Sequence, residues 1–302
     1  MPFLNAKGPL LTLLRDPDVV SRTKAFAASP AVLVHAVCAL QGEAAFLSAT
    51  APCAEGATLP RFVGSGEATT CLIVFIRAPD GSRAACAHLD CLEAVAPFVE
   101  ACAAEGLFFE AAGAEPAPPL EVALVGAFAG GDNTVHLVAA TLTALQGVAC
   151  PLTLAVACVL EANVSPAGPP RRPLHAGAAL DMATGELRPA SFASVGPHEL
   201  ERRARCFVRG APSPFVAFTR GAWQPCALPE PGSAGGGGGG LEWGVPRSAM
   251  ARFLAMSDDK LLRTTSTSPE AEAPGYAAKM RETLVFISRR FEPPAPSPLE
   301  TQ

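Results

Sequence analysis

Charge is scarce in this chain of 302 residues: Asp, Glu, Lys and Arg make up 17% of it against 49% hydrophobic residues, and the net charge is −5 at pH 7. A grip on nucleic acid needs a clustered basic face. With none in view, no nucleic-acid partner is expected. Met1 to Val20 lacks a basic stretch followed by a continuous apolar core and a small-residue cleavage site, so no secretory signal is read there. The expected compartment is the cytoplasm, with the nucleus as a second one, and the ten cysteines are expected as reduced thiols. Those cysteines lack the paired Cys-x-x-Cys knuckles common in zinc sites. Cys86, His88 and Cys91, joined by Cys71, remain an alternative soft-ligand set for a structural zinc. Otherwise no metal and no cofactor is expected.

An unbroken membrane-length apolar helix is also missing. Leu137 to Leu160 holds 24 residues without a formal charge, long enough to cross a bilayer core. However, Gly147 and Pro151 interrupt it and Asp132-Asn133 reads as a cap before Thr134. The pattern predicts a buried helix ending near Gly147 and a strand over 152–160, with no membrane partner. There is no internal repeat and no long linker ahead of the six glycines 235–240. One domain over 1–292 is therefore expected, with a Gly-rich surface loop at 229–240 and a proline-rich, disordered tail at 293–302. Helices are predicted at 18–28, 91–105, 197–207, 247–256 and 276–290. A strand is predicted at 120–128, a hairpin over 174–192 about Ala183-Thr184-Gly185, and a paired unit over 215–226. The class is α+β.

What is present is concentrated between Gly64 and Asp90. Cys71 stands where a polar, turn-forming entry (Gly64, Ser65, Gly66) gives way to the β-forming run Leu72-Ile73-Val74-Phe75-Ile76. Pro79-Asp80-Gly81-Ser82 supplies turn chemistry, and Arg83 to Leu89 reads as the return strand. Pairing across that turn carries His88 to the open end that holds Cys71. An ordinary cysteine is only a few per cent thiolate at neutral pH, and a neighbouring imidazole can take its proton and make it a nucleophile. The plain alternative is a small buried hydrophobe among ten cysteines.

The segment Ser65-x-x-Ala68-Thr69-Thr70-Cys71-x-Ile73-Val74, the return Ala87-His88-x-Asp90 and the distant Ser266-Thr267-Ser268-Pro269-x-Ala271-Glu272 resemble the eukaryotic protein N-terminal asparagine amidohydrolase family. Leu120-Glu121-Val122-x-Leu124-Val125-Gly126, Ala190-Ser191-Phe192, Gly196-Pro197 and Met280-Arg281-x-Thr283-Leu284-x-Phe286 follow in the same order. The glycine run has no counterpart in the family pattern.

That family stands with cysteine deamidases such as the bacterial chemoreceptor glutamine deamidase and the deamidating domain of cytotoxic necrotizing factor. The resemblance implies an α-β-β sandwich with Cys71 as nucleophile, His88 as base and Ser65 as the hydroxyl that fixes the imidazole tautomer. It implies hydrolysis of the side-chain amide of an N-terminal asparagine through a thioester, giving N-terminal aspartate and ammonia. Substrates would be proteins or peptides beginning with Asn, with arginyltransferase and ubiquitin ligase acting downstream in the N-degron pathway. Backbone N–H groups about Thr70 and Cys71 are candidates for the oxyanion. A carboxylate suits the substrate α-ammonium, and Glu67, Asp90 and Glu272 lie near the matched motifs. Ser266 opens the distant motif, whose segment through Pro269 reads equally as a helix-entry cap. A non-catalytic module that binds Asn-initiated chains is the alternative from another class.

Overall fold

A computed structural model describes residues 4, 10–49, 60–108, 118–129, 133–210, 213–229 and 242–291. The predicted glycine loop lies outside these residues except for Pro229, and the predicted tail lies wholly outside them. In chain order the elements are α1 (Pro17–Ala28), β1 (Val32–His35), β2 (Val37–Ala39), β3 (Glu43–Ser48), β4 (Phe62–Ser65), β5 (Leu72–Arg77), β6 (Arg83–Leu89), α2 (Val95–Ala104), β7 (Leu120–Phe128), α3 (Thr134–Gln146), β8 (Leu152–Leu160), β9 (Ala178–Asp181), β10 (Leu187–Ser194), α4 (Glu199–Ala204), β11 (Val208–Arg209), β12 (Phe215–Thr219), β13 (Ala222–Trp223), β14 (Glu242–Trp243), α5 (Arg247–Leu254), α6 (Asp258–Thr265) and α7 (Tyr276–Arg290).

The chain divides into two compact units. The first takes Met1–Pro197, Ser213–Gln224 and Thr267–Glu272; the second takes His198–Pro212, Pro225–Ser266 and Ala273–Gln302. Two sheets build the first unit. The larger runs β13-β12-β3-β6-β5-β7-β8 and the smaller β1-β10-β9-β4-β2. The run Leu72–Ile76 is apolar at every position because β5 is buried on both faces, and a doubly covered strand has no need to alternate with polar residues. Leu72, Val74 and Ile76 point into a core shared with Val95, Phe98, Val138 and Leu142 of the helices. Ile73 and Phe75 point the other way, into a core shared with Val63, Ala178 and Leu180 of the small sheet. The large sheet thus carries helices on one face and the small sheet on the other, an α+β architecture.

The uncharged stretch 137–160 divides between α3 and β8, joined through Gly147 and Pro151. Among the described residues no helix is long and apolar enough to cross a membrane. The hairpin of β9 and β10 turns where Ala183-Thr184-Gly185 placed it. Two local readings differ from the structure. Ser65, read as part of a turn, is the last residue of strand β4. Ser266, read as a possible helix entry, instead ends α6 as its C-cap in the second unit. That unit packs α4 to α7 around Ala204, Met250, Leu261, Leu284 and Ile287.

Candidate active site

Three strands set the chemistry. In the antiparallel pairing of β5 and β6, Ile73 stands opposite His88. Cys71 is two residues before Ile73, so it shares that side of the sheet and packs on the core between the sheets. Cys71, immediately before β5, and His88, next to last in β6, therefore stand at the same end of the paired strands. The third group comes from the opposing sheet. Ser65 Oγ lies 2.9 Å from His88 Nδ1, with Ser65 0% and His88 2% exposed. The structure brings Cys71, His88 and Ser65 to one end of the inter-sheet space, with the other ring nitrogen, Nε2, also buried.

The backbone around Cys71 is held from β7. Ala127 N–H donates to the Cys71 carbonyl at 2.6 Å, and Phe128 N–H to the Thr69 carbonyl at 3.3 Å. Gly126 has φ +100°, and a Cβ there would sit 2.5 Å from the Cys71 carbonyl oxygen, so this approach requires glycine. Asn163, 0% exposed, fixes Gly126 in turn: its Nδ2 donates to the Gly126 and His175 carbonyls at 3.2 and 3.0 Å, and its Oδ1 accepts from His175 N–H at 2.9 Å.

The remaining predicted residues fall unevenly about this centre. Thr70 Oγ1 is 3.0 Å from Thr267 Oγ1, and Ser268 Oγ donates to Thr69 Oγ1 at 2.9 Å. The distant motif thus reaches the two residues before Cys71. Asp90 follows β6 directly; its Oδ2 accepts from Gln41 Nε2 at 3.1 Å, while Oδ1 is buried with no hydrogen-bond partner among the described residues. Glu67 is exposed and adopts φ +62°, a left-handed conformation uncommon outside glycine. Glu272 is partly buried within the first unit, and Ser266 belongs to the second.

One residue escaped the sequence reading. Glu43, 1% exposed, stands directly opposite His88 in the pairing of β3 with β6. A lone glutamate after Gln41-Gly42 carries no local signal of burial.

Four other thiols are set for inertness. Burial pushes Cys86 and Cys102 well above the ordinary thiol range. Burial also raises Cys91 to about 11, with Asp90 adding to it, and Cys158 to about 12. No group of three or more His, Cys, Asp or Glu among the described residues is arranged to hold a metal ion, so Cys86, His88 and Cys91 do not form a ligand set there.

A family model described as protein N-terminal asparagine amidohydrolase matches residues 29–217 and 239–298. The mouse protein N-terminal asparagine amidohydrolase is 28% identical over 228 residues, covering 75% of this chain and 68% of the mouse protein. The human and pig proteins of the same name are each 27% identical over 240 residues, covering 79% of this chain and 70% of theirs. The chain is an enzyme and belongs to the protein N-terminal asparagine amidohydrolase family.

Proposed function

We propose that this chain hydrolyses the side-chain amide of an N-terminal asparagine, with Cys71 as nucleophile, His88 as general base and acid, and Ser65 as the residue that fixes the ring. The observation that carries the reading is the 2.9 Å contact of Ser65 Oγ with His88 Nδ1, on the side of the sheet that Cys71 shares. With Ser65 accepting from Nδ1–H, the tautomer leaves Nε2 able to take the thiol proton.

The Cys71 thiolate attacks the carboxamide carbon, and the C–N bond breaks as His88 returns the proton to the departing ammonia. A thioester remains. Water, deprotonated by His88, adds to it, the C–S bond breaks, and the Cys71 sulfur recovers the proton, leaving an N-terminal aspartate. Backbone N–H groups about Thr70 and Cys71 stabilise the oxyanion. Asp90 takes the substrate α-ammonium: its Oδ1 is buried with no hydrogen-bond partner among the described residues, whereas Glu67 is exposed. Thr70 lines the mouth, held by Thr267 while Ser268 holds Thr69, and Glu272 lies on that same segment. The architecture is the α-β-β sandwich of cysteine deamidases. The enzyme works in the cytoplasm or nucleus, and its product enters the N-degron pathway, where arginyltransferase and ubiquitin ligase act next.

Ammonia release from an Asn-initiated peptide, compared between the wild type and Cys71→Ala, tests this. Release by the wild type alone is expected. Equal release by both proteins removes Cys71 as nucleophile, and binding without release by either supports a recognition module instead.

A further inference from the structure

We infer that Glu43 is a positioning residue for this hydrolysis, and the inference rests on the Cys71–His88 reading above: its carboxylate holds His88 in the imidazolium form that accompanies a Cys71 thiolate. Directly opposed residues of an antiparallel pair point to the same side, with Cβ atoms about 4.5–5.5 Å apart. Glu43 and His88 are such a pair. The alternation of β3 agrees, because Ala45 and Leu47 join the core between the sheets while Ala44 and Phe46 join the helix side. The carboxylate of Glu43 therefore lies on the face that presents His88 to Ser65.

A simpler role exists. Glu43 Oε2 accepts from Leu40 N–H at 2.8 Å, and Glu43 N–H returns to the Leu40 carbonyl at 3.0 Å, closing a tight turn. That turn needs an acceptor but not a charge, and an amide would serve with far less desolvation. A full carboxylate at 1% exposure is the costlier choice, and its register neighbour is a ring that must become a cation during the reaction.

Strand order decides the sign. The sequence β3-β6-β5 puts Glu43 one strand spacing, about 5 Å, from the strand of His88 and two spacings, about 10 Å, from that of Cys71. Coulomb energy falls as the inverse of distance, so attraction to the imidazolium outweighs repulsion of the thiolate roughly twofold. On the side of the sheet that His88 shares stand Glu43 opposite it, Cys86 on its own strand and Cys71 before β5, with Cys38 of β2 near Cys86 and Asp90 two residues after His88.

The test is the titration of the His88 ring, followed by NMR in the whole chain and assigned with His88→Gln. Glu43→Gln keeps an oxygen for Leu40 N–H and removes the charge. It is expected to lower the His88 pKa by about one unit and to move the basic limb of kcat/KM down with it, leaving thermal stability nearly unchanged. An unmoved His88 titration in Glu43→Gln overturns the proposal and reduces Glu43 to a turn residue, while the hydrolysis reading stands. If that variant does not fold, the titration of Cys71→Ser decides, since no thiolate is left there. Burial alone would hold the ring below its ordinary value of about 6.5, so a value at or above that supports Glu43 and a lower one overturns it. Neither titration needs a substrate, so both stay readable if the ammonia-release test fails.

Discussion

Ser65 and His88 come from different sheets, and the 2.9 Å between Ser65 Oγ and His88 Nδ1 is a polar contact across the core between the sheets. A hydrogen bond to a group that becomes charged is worth about 1.5–3 kcal/mol, which corresponds to roughly ten- to a hundredfold in rate. Ser65→Ala is therefore expected to lower kcat by that factor with little change in KM, and Ser65→Thr to restore part of it. Steady-state ammonia release measures both. An unaltered kcat in Ser65→Ala would mean that the ring is oriented by something else.

The hairpin of β5 and β6 was legible because its signals are local. An unbroken apolar run, a Pro-Asp-Gly turn and a return strand lie within twenty residues, and the register that brings His88 to the end holding Cys71 follows from them. The helices predicted at 18–28, 247–256 and 276–290 stand at 17–28, 247–254 and 276–290. Of the small sheet only the hairpin of β9 and β10 was legible. Its strands β1, β2 and β4 have three or four residues each, and β1 pairs with β10, Val32 opposite Ala190, across most of the first unit. Pairing at such separation is decided by tertiary packing rather than local propensity. That is why Ser65 read as a turn residue and why Glu43, whose burial depends on neighbouring strands, gave no sign. The bonds of Thr69 and Thr70 to Ser268 and Thr267 span nearly 200 positions. Only the family resemblance pointed to that segment.

The thiols should separate by reactivity. Cys86 and Cys102 are raised far above the ordinary range by burial, Cys91 stands at about 11 and Cys158 at about 12, so each holds almost no thiolate at pH 7. Cys206 is exposed and serves as an internal standard. Brief treatment with iodoacetamide at pH 7, read peptide by peptide by mass spectrometry, is expected to label Cys71 roughly tenfold faster than Cys206 and to leave Cys86, Cys91, Cys102 and Cys158 intact. Labelling of Cys71 no faster than Cys206 would show an unactivated thiol.

Asn163 offers a stability test close to the site. Its amide satisfies the carbonyls of Gly126 and His175 and the N–H of His175, all in a fully buried position. Truncation to alanine strands those groups, each at about 1–3 kcal/mol before water enters. Asn163→Ala is expected to lose about 3 kcal/mol or more in urea unfolding. Because Gly126 and Ala127 embrace the Cys71 carbonyl, kcat should fall in the residual folded protein as well. A loss below about 1 kcal/mol would show that the loop closes without this amide.

Acid stability carries a signature of Arg61 and Asp181. The guanidinium donates to Asp181 Oδ2 through Nε at 3.0 Å and through a second nitrogen at 2.6 Å, and Ala183 N–H donates to Oδ1 at 2.9 Å. The Arg61 hydrogen bond is the first cause holding the Asp181 carboxyl below its usual range; the Ala183 N–H and the Arg61 charge add to it, against the opposing effect of burial. A carboxyl depressed in the folded state binds fewer protons there than in the unfolded chain, where its pKa is about 3.9. Its stabilisation is therefore complete above that value and drains away as pH falls through the lower, folded one. Arg61→Ala moves the folded value back toward the unfolded one. Urea unfolding between pH 5 and pH 2.5 should then show the variant less stable at pH 5 and converging on the wild type at the acid end. Parallel curves, with a constant gap at every pH, would show that Arg61 acts through packing over Phe62 rather than through this carboxylate.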